Sequence, residues 1–179
     1  MNKKQENETI QSVLNGDREK FALLVDKYKG PVYNLVYRLT GSSHDAEDLA
    51  QETFIKAYRS LNSFKTNKKF FPWLYAIAIN LTRNHMKKNK PFLVENVDHL
   101  KTDNNNPEQA VSKLQEAEAL ARHIQRLPVS LREAIILRYY HYLRFAEISQ
   151  ILCISLSAVK MRVYRGLEKL EILMTKNFK

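Results

Sequence analysis

Apolar residues return every three to four positions along most of the chain, and no stretch alternates apolar with polar residue by residue. That spacing is the helical period, so the chain must bury stripes on helices rather than faces of a sheet. Only four glycines and five prolines occur in 179 residues, too few for the turns of a β sandwich or barrel. The expected fold class is all-α. The length allows one domain or two small ones, enough for compact helical cores but not for a roomy catalytic cleft.

A first helix is expected over about 6–14, closed by the turn signal Asn15-Gly16-Asp17. A second carries Phe21, Leu24, Val25 and Tyr28 on one side. Gly30-Pro31 kinks or breaks it, and Val32, Leu35, Val36 and Leu39 continue the stripe. A third, over 45–61, turns Ala46, Leu49, Ala50, Thr53, Ala57 and Leu61 one way and Asp48, Gln51, Glu52, Ile55 and Arg59 the other. A fourth, over 71–88, starts with Pro72 in its first turn. Its inward residues are Trp73, Leu74, Ile77, Ala78 and Leu81, and its outward ones Ala76, Ile79, Asn80, Arg83 and Lys87.

Over about 89–107 the period dissolves among two prolines and a triple asparagine. This stretch reads as a flexible linker, 91–109, between one domain over 1–90 and another over 110–179. About 20 extended residues reach at most about 65–70 Å, close to two turns of duplex DNA at about 35 Å each. Helices resume over 108–126 and over 131–141, the latter with Ile135, Ile136 and Tyr139 inward. A short helix, 145–152, and a longer one, 156–174, flank the tight turn Cys153-Ile154-Ser155. The last helix has the apolar stripe Leu156, Val159, Val163, Leu167 and Leu170.

Charge is segregated along the chain. The net is +10, yet residues 53–94 hold nine basic side chains and no acidic one, while residues 121–179 hold eleven basic and four acidic. Native surfaces usually mix both signs, so two basic regions divided by an acidic stretch point to two contacts with a polyanion. The basic block interleaves Phe64, Phe70, Phe71, Trp73 and Tyr75 with Lys65, Lys68, Lys69, Arg83, Lys87 and Lys88. Cations track phosphates and unpaired bases stack on rings or enter pockets between them, although Phe71 and Trp73 read as core. One cysteine excludes a disulfide framework and any Cys-based zinc site within the chain. The five histidines lack metal-ligand spacing, and no nucleophile–base pair or phosphate loop is evident, so no metal, cofactor or catalytic residue is expected. The start MNKKQENETI has no apolar signal core, and no apolar run approaches a membrane span. A soluble, cytoplasmic binding protein is expected, without membrane insertion.

A two-turn helix, a tight turn and a longer basic helix are the parts of a helix-turn-helix. On the last helix Ser157, Ala158, Met161, Tyr164 and Arg165 face away from the apolar stripe, with Lys160 and Arg162 at its flanks. Arginine there can pair with a guanine edge, and Ser or Lys can hold phosphates. The segment LPVSLREAIILRYYHYLRFAEISQILCISLSAVKMRVYRGLEKL resembles region four of the extracytoplasmic-function branch of the sigma-70 family. DAEDLAQETFIKAY and FFPWLYAIAINLTRNHMKK resemble region two of the same family.

That resemblance implies an RNA polymerase sigma factor for transcription initiation. Region two would grip the β′ clamp helices through Asp48, Gln51, Glu52 and Ile55, an acidic face with an apolar anchor. It would also take the minus-ten element, with Asn62, Phe64, Lys65 and Lys68 as loop candidates and Asn80, Arg83 and Lys87 on the following helix. Region four would meet the β flap and read the minus-thirty-five element through Ser157, Ala158, Lys160, Met161, Arg162, Tyr164 and Arg165. The partners implied are core RNA polymerase, promoter DNA and an anti-sigma factor, often membrane-bound in this family, and the setting is stress response. Ala76, Ile79 and Met161 depart from the family's usual residues, and Cys153 stands where the turn commonly has Gly. Cys153 is expected as a small buried side chain. A stand-alone helix-turn-helix regulator is the alternative, disfavoured by the acidic-apolar face and the acid-free aromatic block.

Overall fold

The computed structural model describes residues 1–88 and 107–175, with side chains from Glu116 onward in the second stretch. Most of the expected linker, up to residue 106, lies outside the described residues. The chain starts with a capping box. Asn2 Oδ1 accepts from the Gln5 N–H at 3.0 Å while Gln5 Oε1 accepts from the Asn2 N–H at 2.9 Å. These bonds satisfy two orphan donors and open helix α1 at Lys3–Leu14, three residues ahead of the expected start. Its buried Glu6 accepts from Tyr28 Oη at 2.5 Å and Lys27 Nζ at 2.6 Å, fastening α1 to helix α2 (Phe21–Thr40).

Pro31 neither breaks nor ends α2. Pro31 and Lys27, whose carbonyl loses its i+4 donor, are both exposed, and the buried stripe Leu24, Tyr28, Val32, Leu35, Val36 and Leu39 runs past them. Gly41 closes the helix at φ +78°, a left-handed conformation that glycine adopts without strain. Ser42 Oγ then caps helix α3 (Ser43–Arg59), accepting from the Asp45 N–H at 3.2 Å. Ala46, Leu49, Ala50, Thr53, Phe54 and Ala57 bury against α2 and helix α4 (Phe70–Lys88). Phe64, Phe70 and Trp73 close that lobe with ring centroids 5.3–5.5 Å apart.

The second lobe holds helices α5 (Pro107–Gln125), α6 (Val129–Ile135), α7 (Phe145–Leu152) and α8 (Leu156–Thr175). A π-type turn, Ile136–Tyr140, extends α6. The wider turn rotates later residues, so Tyr139, expected inward, is 45% exposed while Leu137 is fully buried. Helix α8 packs on α6 at Gly166, where a Cβ would stand 2.7 Å from Ile135 Cγ1. The inward stripe of α8 is therefore Val159, Val163, Gly166 and Leu170. Leu156 and Leu167, expected inward, sit on its flank and are exposed.

The two lobes pack against each other. Tyr75, Ile79 and Arg83, four residues apart on α4, share the side facing the second lobe, and α4 lies against α7. Ile79, expected outward, is 1% exposed for this reason. Buried apolar residues of both lobes form one continuous core.

Candidate functional site

Among the residues that α3 leaves outside the core, Asp48, Gln51, Glu52 and Ile55 are spaced so that they share one exposed face, which Arg59 continues. Ile55 is 51% exposed among them. A half-exposed aliphatic side chain on a face with Asp48, Gln51 and Glu52 fits a partner surface better than water. Tyr58 extends the same face, half out and edge-on to Phe21 at 5.1 Å. Sequence reasoning missed it, although its i+3 spacing from Ile55 was a usable signal.

The block from residue 62 divides into three groups. Asn62, Lys65 and Lys68 are exposed on the loop before α4, and Asn80 and Lys87 are exposed on α4, with Asn84 between them. Phe64 is buried under the loop against Phe70 and Trp73, so its ring faces the core rather than a ligand. Arg83 and Lys69 reach instead into the second lobe. Arg83 donates Nε to Glu133 Oε1 at 2.5 Å and Nη2 to Glu133 Oε2 at 2.6 Å, and Lys69 Nζ donates to Glu147 Oε1 at 2.9 Å. The hydrogen bond to Glu133 raises the Arg83 pKa against the opposing effect of burial. The Lys69 bond holds Glu147 below the usual carboxylate range.

The outward face of α8 is continuous. Ser157, Lys160, Met161, Tyr164 and Arg165 are exposed, and Ala158 and Arg162 half-buried at its edges. Ser155 Oγ accepts from the Ala158 N–H at 3.2 Å, so the helix enters with a capped first turn. The preceding corner is Cys153, at φ +53° and ψ +43°. Its side chain is exposed, not buried as expected, because the left-handed corner turns Cβ away from the α7–α8 core.

Between these faces lies a polar seam. Arg132 is buried and donates to the Leu39 carbonyl at 2.6 Å, to Gln125 Oε1 at 2.7 Å, and to the carbonyls of Gln125 and Leu127. Burial lowers its pKa to about 10, which leaves it charged at neutral pH. Arg38 lies over the Tyr140 ring at 3.7 Å. The Tyr75 hydroxyl and His141 Nδ1 are 3.0 Å apart, and burial pushes the His141 pKa down to about 4. Among the described residues no group of three His, Cys, Asp or Glu side chains could hold a metal ion, and no helix is long and apolar enough to cross a membrane.

Two packed helical lobes, the second ending in a helix-turn-helix with an exposed basic reading face, define a DNA-binding transcription protein. Residues 24–92 match Sigma-70 region 2 and residues 117–170 match Sigma-70, region 4. The ECF RNA polymerase sigma factor SigW of Bacillus subtilis is 41% identical over 172 residues, covering 90% of this chain and 92% of that one. The RNA polymerase sigma-H factor of Pseudomonas aeruginosa is 32% identical over 182 residues, covering 96% and 94%. Among solved structures, CnrH in complex with the cytosolic domain of CnrY has a TM-score of 0.71 at 23% identity, covering 95% and 97% of the two chains. The sigma factor RpoE in complex with the anti-sigma factor NepR, from Bartonella quintana, has a TM-score of 0.70 at 21% identity, covering 88% and 98%. These last two likenesses show the fold. The chain belongs to the extracytoplasmic-function branch of the sigma-70 family of RNA polymerase sigma factors. It binds core RNA polymerase and promoter DNA and directs promoter-specific initiation.

Proposed function

We propose that the two steps of that function are divided between surfaces as follows. Region two, residues 1–90, docks on the β′ clamp helices through Asp48, Gln51, Glu52 and Ile55. Its loop and α4 capture the opened minus-ten strand with Asn62, Lys65, Lys68, Asn80, Arg83 and Lys87, while Phe64 holds the loop from beneath. Region four, residues 110–179, meets the β flap and lays α8 in the major groove of the minus-thirty-five element through Ser157, Ala158, Lys160, Met161, Arg162, Tyr164 and Arg165. Strand capture drives melting, offset by unstacking of roughly a few kcal/mol per step. The chain contributes binding energy and orientation, and the catalytic site belongs to the polymerase. It works in the cytoplasm, restrained by an anti-sigma factor.

The observation that carries this reading is Ile55, half exposed on the helix face that it shares with Asp48, Gln51 and Glu52. Asp48→Lys is expected to lower affinity for core polymerase about tenfold or more while leaving promoter contacts intact. Arg165→Ala is expected to cost about 1–3 kcal/mol of upstream promoter recognition and leave polymerase binding intact. Pull-down with core enzyme and footprinting of the holoenzyme separate the two, and equal loss of both activities in either variant contradicts the division.

A further inference from the structure

The outward face of α8 is basic at its edges and apolar at its middle. Val159, Val163, Gly166 and Leu170 face the core of the second lobe. At 100° per residue Met161 falls nearest the line opposite that stripe, with Ser157, Tyr164 and Arg165 around it and Lys160 and Arg162 on the two flanks. Met161 is 50% exposed and Tyr164 62%, and residues three apart on a helix are neighbours. The Ser157 hydroxyl is 3.0 Å from Ser155 Oγ, which also accepts from the Ala158 N–H, so Ser157 is tied to the start of the helix. Residues 156–167 hold Lys160, Arg162 and Arg165 and no acid, and the first acid of α8 is Glu168. That acid-free stretch is about 18 Å long, the length of about five base pairs. Met161 stands at its middle, where entry into a groove is deepest.

A thioether is at best a weak acceptor, so Met161 cannot pair with base edges as Arg, Asn or Gln do. Among the four standard bases, the apolar feature that the major groove presents is the C5-methyl of thymine. We propose that Met161, backed by the Tyr164 ring, is a specificity-determining residue that buries a thymine C5-methyl, so that the minus-thirty-five element carries a thymine at that place. The proposal rests on the reading of α8 as the groove helix and names what the middle of that helix selects. Met161 selects by rejection as well as by contact. A cytosine amino group or a purine edge set against it loses water and gains no partner. Arg165, one turn on and about 6 Å along the axis, reaches the edge of a base about two steps away. Lys160 and Arg162 hold the backbone, which carries no sequence information of its own.

The test is uracil interference, with the full chain in holoenzyme. Promoter duplex that the holoenzyme protects is recovered from genomic fragments by footprinting. It is then remade with deoxyuridine scattered in place of thymidine, which removes the C5-methyl and leaves the pairing. Bound and free fragments are separated and cut at each uracil. The wild-type chain is expected to exclude uracil about fourfold at one or two positions of the upstream protected segment, the effect of one buried methyl. Met161→Ala is expected to abolish that exclusion, and Met161→Leu, apolar and of similar volume, to keep it. Met161 is half exposed, so neither change disturbs the core. Uniform tolerance of uracil by the wild-type chain overturns the proposal, as does an exclusion that survives in Met161→Ala or disappears in Met161→Leu. Absence of any upstream protection is a different failure: it contradicts α8 as the groove helix, and the proposal falls with that reading.

Discussion

Cys153 occupies the sharpest corner of the helix-turn-helix, at φ +53°. An L-residue there carries a cost of about 1–2 kcal/mol that glycine avoids, partly offset by the larger entropy glycine loses on folding. Its thiol makes only a long contact, 3.6 Å, to the Gln150 carbonyl. Cys153→Gly is therefore expected to stabilise the protein by about 0.5–1 kcal/mol, read as a higher midpoint in thermal unfolding. A lowered midpoint contradicts the strain argument. The tight turn at Cys153 was legible in the sequence, and the resemblance marked it as a position that commonly holds Gly. The exposure of the thiol was not, since it depends on the direction Cβ takes at that corner. Phe64 shows the same limit. Its place among aromatics was visible in the sequence, but only the ring contacts with Phe70 and Trp73 put it under the loop rather than on it.

At the scale of elements, Gly166 sets how closely α8 approaches α6. Alanine there would place Cβ 2.7 Å from Ile135 Cγ1, and Ile135 is 2% exposed with no room to yield. Overpacking costs about 1–3 kcal/mol, against about 1 kcal/mol that alanine gains in helix propensity. Gly166→Ala is expected to destabilise the second lobe by up to about 2 kcal/mol, measurable by denaturant titration. Unchanged stability contradicts this packing. Amphipathic period was enough to place α3 with its buried and exposed faces, and to bound α7 at Phe145–Leu152. It failed where a helix departs from the ideal period or meets a second partner. The π-type turn moved Tyr139 outward, close packing at Gly166 left Leu156 and Leu167 on a flank, and contact with the second lobe buried Ile79. A partner 50 or more residues away in sequence leaves no local trace on α4.

For the whole molecule, the packing of the lobes is expected to weaken as pH falls. His141 is half-buried in the seam, its Nε2 without a hydrogen-bond partner, beside the Tyr75 hydroxyl and near the Arg38 guanidinium. Burial holds its pKa at about 4, against about 6.5 for an exposed imidazole. Between those values the open or unfolded chain takes up a proton that the closed chain refuses. The closed state is fully favoured above about pH 6.5 and loses up to about 3 kcal/mol as pH falls toward 4. Glu147, whose pKa is depressed by Lys69, acts in the same direction as it protonates. Scattering and thermal unfolding between about pH 7 and 4.5 are expected to show expansion and a falling midpoint, and a pH-independent radius and midpoint contradict this. Sequence alone described two basic regions and two domains. It did not show that acidic residues of one lobe are matched to basic residues of the other, because each is unremarkable on its own helix.

The central claim is that this chain gives core RNA polymerase its start site through two surfaces on two lobes. Run-off transcription with purified core enzyme on a library of genomic fragments tests it most directly. The account predicts discrete transcripts that appear only when the protein is added, and that are lost with Asp48→Lys through failed docking and with Arg165→Ala through failed upstream recognition. No co-purification with core enzyme and no start-specific transcript would contradict it.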